Sequence, residues 1–113
     1  MLAVDVVIAT QYRPKLLKRC LHSLREASGP CSLRFVVSSS GSSEYYGDIF
    51  AGSQVVHTHS DVPLNAAAAR NRALPHLQSE WVYFIDDDAH VEADFFSVFA
   101  RLVFENPEAA VIG

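Results

Sequence analysis

The sequence is short of several things, and each shortage narrows its function. No apolar run in the 113 residues approaches the length needed to span a bilayer. The early apolar stretch Val4–Ala9 is too short for the core of a signal peptide. Cysteine is scarce: Cys20 and Cys31 form neither a C-x-x-C pattern nor a disulfide-dense scaffold, so a reducing, cytoplasmic setting is the default expectation. Positive charge is in deficit, with nine Lys and Arg against thirteen Asp and Glu, a net charge of −4 and a pI near 5.6. A nucleic-acid binder would be expected to show a basic face, so that class is set aside. There is no internal repeat and no disordered segment.

What is present is ample apolar material, 50% of residues, in a length that suits one small domain with a real core. Val4–Ala9 is β-branched and reads as a buried strand. Leu16, Leu17, Cys20, Leu21 and Leu24 recur at helical spacing, predicting a helix from Pro14 to Ala27 that Gly29-Pro30 stops, with Cys20 in the core. Leu33–Val37 is a second strand. The polar run Ser38–Ser43 reads as a strand-to-helix loop, with Ser43 capping a short helix through Tyr46 and Ile49. Gln54–His57 is a third strand, and Asn65–Leu77 an alanine-rich helix that lies close to a sheet. Glu80–Ile85 is the fourth strand. Phe95, Phe96, Phe99, Leu102 and Val103 mark a helix ended by Asn106-Pro107, and Ala109–Ile112 begins a fifth strand. Alternating strands and helices with unbroken apolar strands predict an α/β fold, a mostly parallel sheet covered on both faces. Val4–Ala9 and Trp81–Ile85 are expected side by side at its centre.

The most informative stretch is Tyr83–Asp88, where an apolar strand runs into Asp86, Asp87 and Asp88. A dry strand interior cannot hold three carboxylates, so they sit where the strand ends, and their mutual repulsion would be relieved by a hard divalent cation. The plainer reading is an acidic turn that only caps the next helix at Asp94. In parallel α/β sheets ligands bind beyond the carboxyl ends of the strands, which is where Thr10–Arg13, Ser38–Ser43 and Asp86–Ala89 fall.

Four segments resemble family 2 glycosyltransferases of the GT-A fold, a Rossmann-like nucleotide-diphospho-sugar transferase architecture. They are Val6–Leu17, Ala67–Leu74 with its A-A-R-N core, Phe84–Asp88 as a D-x-D strand end, and Pro107–Gly113. The resemblance implies that residues 1–113 form one nucleotide-sugar-binding domain. It implies a nucleotide-diphosphate sugar donor, a UDP-sugar above others, and transfer to an acceptor hydroxyl. Asp88, and Asp86 through water, would hold Mn²⁺ or Mg²⁺ against the diphosphate. Asp87 would orient ribose or sugar hydroxyls, Arg70 would reach the nucleotide, and Thr10, Tyr12 and Arg13 would line its pocket.

The sequence also departs from the family pattern. Gln11 and Tyr12 replace an aromatic and an Asn, and Ser39 and Ser40 replace an acidic pair whose first member reads the base. Ser39 can hydrogen-bond a base but supplies no charge. The general base of an inverting enzyme comes from a later region of the family, so this chain is expected to carry the donor half, with no catalytic base and no acceptor transfer of its own. The alternative is a non-catalytic nucleotide-binding or protein-interaction module. His57 and His59 alternate along an extended segment with no third metal ligand near in sequence. His90, after the acids, either lines the site or pairs with Asp88; His22 and His76 read as surface residues. The open edge of a fifth strand would let a second copy pair with it as a homodimer.

Overall fold

The computed structural model describes residues 2–11, 13–41, 47–50 and 55–112. The elements in chain order are β1 (Leu2–Gln11), α1 (Pro14–Glu26), β2 (Cys31–Ser40), α2 (Gly47–Phe50), β3 (Val55–Ser60), α3 (Ala66–Ala73), β4 (Trp81–Asp86) and α4 (Phe95–Glu105). The strands form one sheet in the order β3-β2-β1-β4, and every pairing is parallel. The chain moves outward from β1 through β2 to β3 and then returns to the other side of β1 for β4. Strand order therefore reverses between β1 and β4, the place where a parallel sheet opens a crevice at its carboxyl end.

Periodicity explains the layering. Val4, Val6 and Ile8 face one side and pack with Leu17, Cys20, Leu21 and Leu24 of α1 and Phe96 of α4. Val7 and Val36 face the other side, against Ala73 of α3. Alanine at Ala69 and Ala73, both buried, lets α3 approach the strands closely. Aromatic rings fill the space beneath α4, with Trp81 edge-on to Phe99 at 5.4 Å and Tyr83 edge-on to Phe96 at 6.0 Å. Gly29 turns the chain out of α1 at φ 51°, and a Cβ there would lie 2.6 Å from Ser97 Oγ. Both cysteines are free and buried. Among the described residues no helix is long and apolar enough to cross a membrane.

Three expectations are corrected. Ser38, Ser39 and Ser40 belong to β2 rather than to a loop: their backbones pair with Ala9–Gln11 on one side and Thr58–Ser60 on the other, and all three are buried. Ladder bonds on both sides override the turn preference of serine. Among the described residues no fifth strand forms, since the chain turns after α4 with Ala109 N–H donating to Asn106 O at 3.0 Å, and Val111 is exposed. An apolar run becomes a strand only when it lies beside a ladder partner, and among the described residues Ala109–Ile112 pairs with no strand. So β1 and β4 are adjacent and parallel as expected, but β4 is an edge strand, not central. The segment that Ser43 was expected to cap begins at Gly47 in the structure; Ser43 and Tyr46 lie outside the described residues.

Candidate functional site

A cleft of about 250 Å³ opens at the carboxyl end of the sheet, between β1, β4 and the start of α3. Ala9, Thr10, Gln11, Arg13, Leu64, Ala66, Ala69 and the three aspartates Asp86–Asp88 line it. Asp86 ends β4 and the next two acids turn away from the strand. This is the strand end at which the sequence requires the charges to leave the dry interior.

The three carboxylates are not equivalent. Asp87 is buried: Thr10 Oγ1 donates to its Oδ2 at 2.7 Å and Arg13 Nη1 lies 3.4 Å from its Oδ1. Asp86 and Asp88 stay exposed, with side chains 69% and 56% accessible. Arg70 Nη2 bonds Asp86 Oδ1 at 3.0 Å, and Arg13 approaches Asp88 at 3.8 Å. Arg70 arrives there because Asn65 caps α3, accepting from Ala68 N–H at 2.8 Å, so the helix starts at the cleft and carries the arginine across to β4. Three negative and two positive side chains leave the cleft net negative by one.

Beneath the acids, Cys20 Sγ donates to Asp86 O at 3.6 Å. Burial first, then the charges of Asp87, Asp88 and Asp86, push its thiol up to about 12, so it stays protonated and serves packing rather than nucleophilic chemistry. Asp94 holds the N-cap position of α4 but makes no side-chain cap bond, which removes the helix-capping explanation of the acidic turn.

Thr10, Arg13, Arg70, Asp86, Asp87 and Asp88 are thus brought together as the sequence suggested. Ser39 is not: its Oγ lies 2.5 Å from His57 Nε2 and 2.6 Å from His59 Nδ1, on the far side of β2 from the cleft. His59 Nε2 bonds Gly41 O at 2.7 Å, so the two histidines brace the end of β2. Among the described residues no group of three or more His, Cys, Asp and Glu side chains forms a metal cage. Tyr12 lies outside the described residues. His90 is exposed and does not pair with Asp88. Leu64, Ala66 and Ala69, which form the apolar wall, were not read from the sequence as site residues. For the two alanines the signal was the run of small side chains on a helix that begins at the cleft.

The family model for glycosyl transferase family 2 matches residues 5–113. The chain belongs to glycosyl transferase family 2. That match includes all three acids, both arginines and the whole cleft. Among solved structures the family 2 chain is similar to S. aureus TarS 1-349, with a TM-score of 0.82 and 19% identity over 94% of this chain and 33% of that one. The same TarS segment in complex with UDP gives a TM-score of 0.79 at 20% identity, with the same coverage. A further TarS structure gives 0.73 at 18% identity, covering 92% of this chain and 20% of that one. These likenesses establish the GT-A glycosyltransferase fold, of which the chain spans a third or less of the TarS chains. No curated protein matches the sequence.

Proposed function

We propose that the cleft binds the nucleotide-diphosphate part of a sugar donor, a UDP-sugar above others, together with Mn²⁺ or Mg²⁺, as the donor half of a glycosyltransferase. The observation that carries this reading is the pair of exposed carboxylates, Asp86 and Asp88, set beside Arg70 and Arg13 at the strand-order reversal. Two carboxylates suit a cation that takes its remaining ligands from phosphate oxygens and water, whereas an all-protein cage would need more. A net negative cleft would repel a diphosphate; a divalent ion reverses that sign. Asp86 and Asp88 would hold the metal, which when bound neutralises charge gathering on the leaving diphosphate.

The protein's own groups have separate tasks. Arg70 and Arg13 each present a planar guanidinium, suited to phosphate oxygens, and exchange a carboxylate partner for the donor. Asp87, engaged by Thr10, fixes Arg13 and the turn that aims its two neighbours, a positioning role in place of the sugar contact expected of it. The UDP complex of TarS supports the choice of nucleotide. Transfer to an acceptor hydroxyl would use a base from outside these residues, because Asp86 and Asp88 would hold the metal and Asp87 is engaged by Thr10 and Arg13. Calorimetric titration of UDP with and without Mn²⁺ tests the reading. Tighter binding with metal supports it, and no UDP binding under either condition overturns it.

A further inference from the structure

We propose that the outer face of α1 docks on an anionic lipid surface, and that a small cavity beside it seats one phosphate headgroup. The chain is acidic as a whole, yet five of its nine Lys and Arg residues fall between Arg13 and Arg25, a stretch with no Asp or Glu. Arg13 is engaged by the cleft acids. The other four, Lys15, Lys18, Arg19 and Arg25, are exposed on α1. At about 3.6 residues per turn they share one arc of the helix, opposite the buried stripe of Leu17, Cys20, Leu21 and Leu24. None of the four meets a carboxylate among the described residues, whereas Arg13, Arg34 and Arg70 each do. The one acid of α1, Glu26, stands at the end of the helix, 3.7 Å from His22.

A cavity of about 130 Å³ lies against this strip of cations, lined by Lys18, Leu21, Arg25 and Ile49. Lys18 and Arg25 stand two helical turns apart with Leu21 between them, so two cations flank an apolar floor. The Arg25 guanidinium lies 5.4 Å from the centre of the buried Phe35 ring. That cation–π contact fixes the arginine beside the cavity and leaves its charge unneutralised.

Size and charge select the occupant. Two cations around an apolar floor suit an anion joined to a short apolar body. The volume is below that of a site for a drug-sized ligand, so it admits a phosphate with a few carbons and no peptide chain. The strip extends beyond the cavity for the length of a helix of 13 residues, about 20 Å. Cations spread that far are all used only where anions repeat, as they do in a leaflet of anionic lipid. Arg13 precedes α1 and lines the cleft, so docking brings the cleft to the lipid surface.

The test is co-sedimentation with vesicles of phosphatidylcholine, alone and with about a third phosphatidylserine, together with thermal melting of each variant. The unaltered chain should bind the serine-containing vesicles, leave them at high salt and ignore pure phosphatidylcholine. Each Lys or Arg neutralised on the strip should cost about fivefold in affinity, so the triple variant Lys15→Gln, Lys18→Gln, Arg19→Gln should lose about a hundredfold. Its melting should be unchanged, because these three side chains hold no ion-pair partner in the fold. Arg25→Gln should cost more than Arg19→Gln, since Arg25 borders the cavity and Arg19 does not. Arg72→Gln, on α3 across the sheet, should leave vesicle binding as it is. Equal binding to both kinds of vesicle, binding to neither, or full binding by the triple variant overturns the docking inference. Polyglutamate or RNA bound as tightly as the vesicles also overturns it and gives the strip to a soluble polyanion. Arg25→Gln no worse than Arg19→Gln overturns the headgroup cavity.

Discussion

Strand β1 carries chemistry at both ends, and the two ends treat a carboxylate in opposite ways. At the amino end Asp5 is fully buried, accepting from Gln78 N–H at 2.5 Å, Ser79 N–H at 2.9 Å and Ser79 Oγ at 2.9 Å, with Arg34 at 3.4 Å. Burial alone would raise its pKa. The Ser79 and Gln78 backbone bonds, the Ser79 hydroxyl and Arg34 outweigh it, and the carboxyl is held below its ordinary value of 3.8. At the carboxyl end Asp86 and Asp88 are exposed and each meets one arginine. Asp5 has no capacity left for a ligand, whereas Asp86 and Asp88 have oxygens to spare. Carboxylates satisfied by the fold maintain structure; carboxylates the fold leaves half-satisfied are the ones available to a cation.

If that contrast is right, substitution should separate stability from binding. Asp5→Ala should have the largest effect on stability, about 3 kcal/mol, because it removes the acceptor shared by Arg34, the Ser79 hydroxyl and the Gln78 and Ser79 N–H groups. Denaturant unfolding would measure it, and a loss under half that size would place Asp5 with the exposed acids. The same carboxylate predicts a pH effect. Its stabilisation is complete above about pH 4 and is lost as pH falls through its lower folded pKa, so Asp5→Asn should flatten the acid limb of a pH–stability curve.

Asp87→Asn should fall between the two ends, at about 1–2 kcal/mol, since it weakens one buried bond to Thr10 and the contact with Arg13. It should also loosen nucleotide binding by moving Arg13. An Asp87→Asn variant that binds nucleotide normally would show that Arg13 is placed by other contacts.

How far these differences could be read from the sequence varies with the residue. The parallel sheet, the Cys20 stripe and the placement of Asp86–Asp88 at a strand end follow from local pattern, because periodicity and charge leave few options. Arg70 was legible from the A-A-R-N segment, but its reach to Asp86, sixteen residues on, was not. Asp5 passed as one member of a buried strand. The signal available was that a charge in a dry run must be paired, yet its partners Gln78 and Ser79 lie over seventy residues away. Ser38–Ser40 read as a loop because serine favours turns, and only the ladders to β1 and β3 reveal a strand. Ala109–Ile112 read as a strand because apolar runs do not carry their pairing with them.

A smaller effect concerns the sheet edge away from both acid sites. Burial first, then the neighbouring His59, lowers the pKa of His57 below the ordinary 6.5. Its contribution to stability is present above pH 6.5 and is lost as pH falls through the lower folded value. A small drop in melting temperature on moving from pH 7.5 to pH 5.5 is expected, reduced in His57→Asn. An equal drop in both would assign the loss elsewhere.

Asp88→Asn should be the mildest of these changes to the fold, within about 0.5 kcal/mol of the unaltered chain, and the most damaging to binding. Calorimetry of UDP binding, with Mn²⁺ and with chelator, on the unaltered chain and on Asp88→Asn therefore bears most directly on the division of labour between the two ends of β1. The expected result is a metal-dependent gain in UDP affinity of about tenfold or more in the unaltered chain, absent in Asp88→Asn at unchanged stability. UDP affinity that is the same with metal and with chelator, or an Asp88→Asn variant that keeps the full metal response, would contradict it.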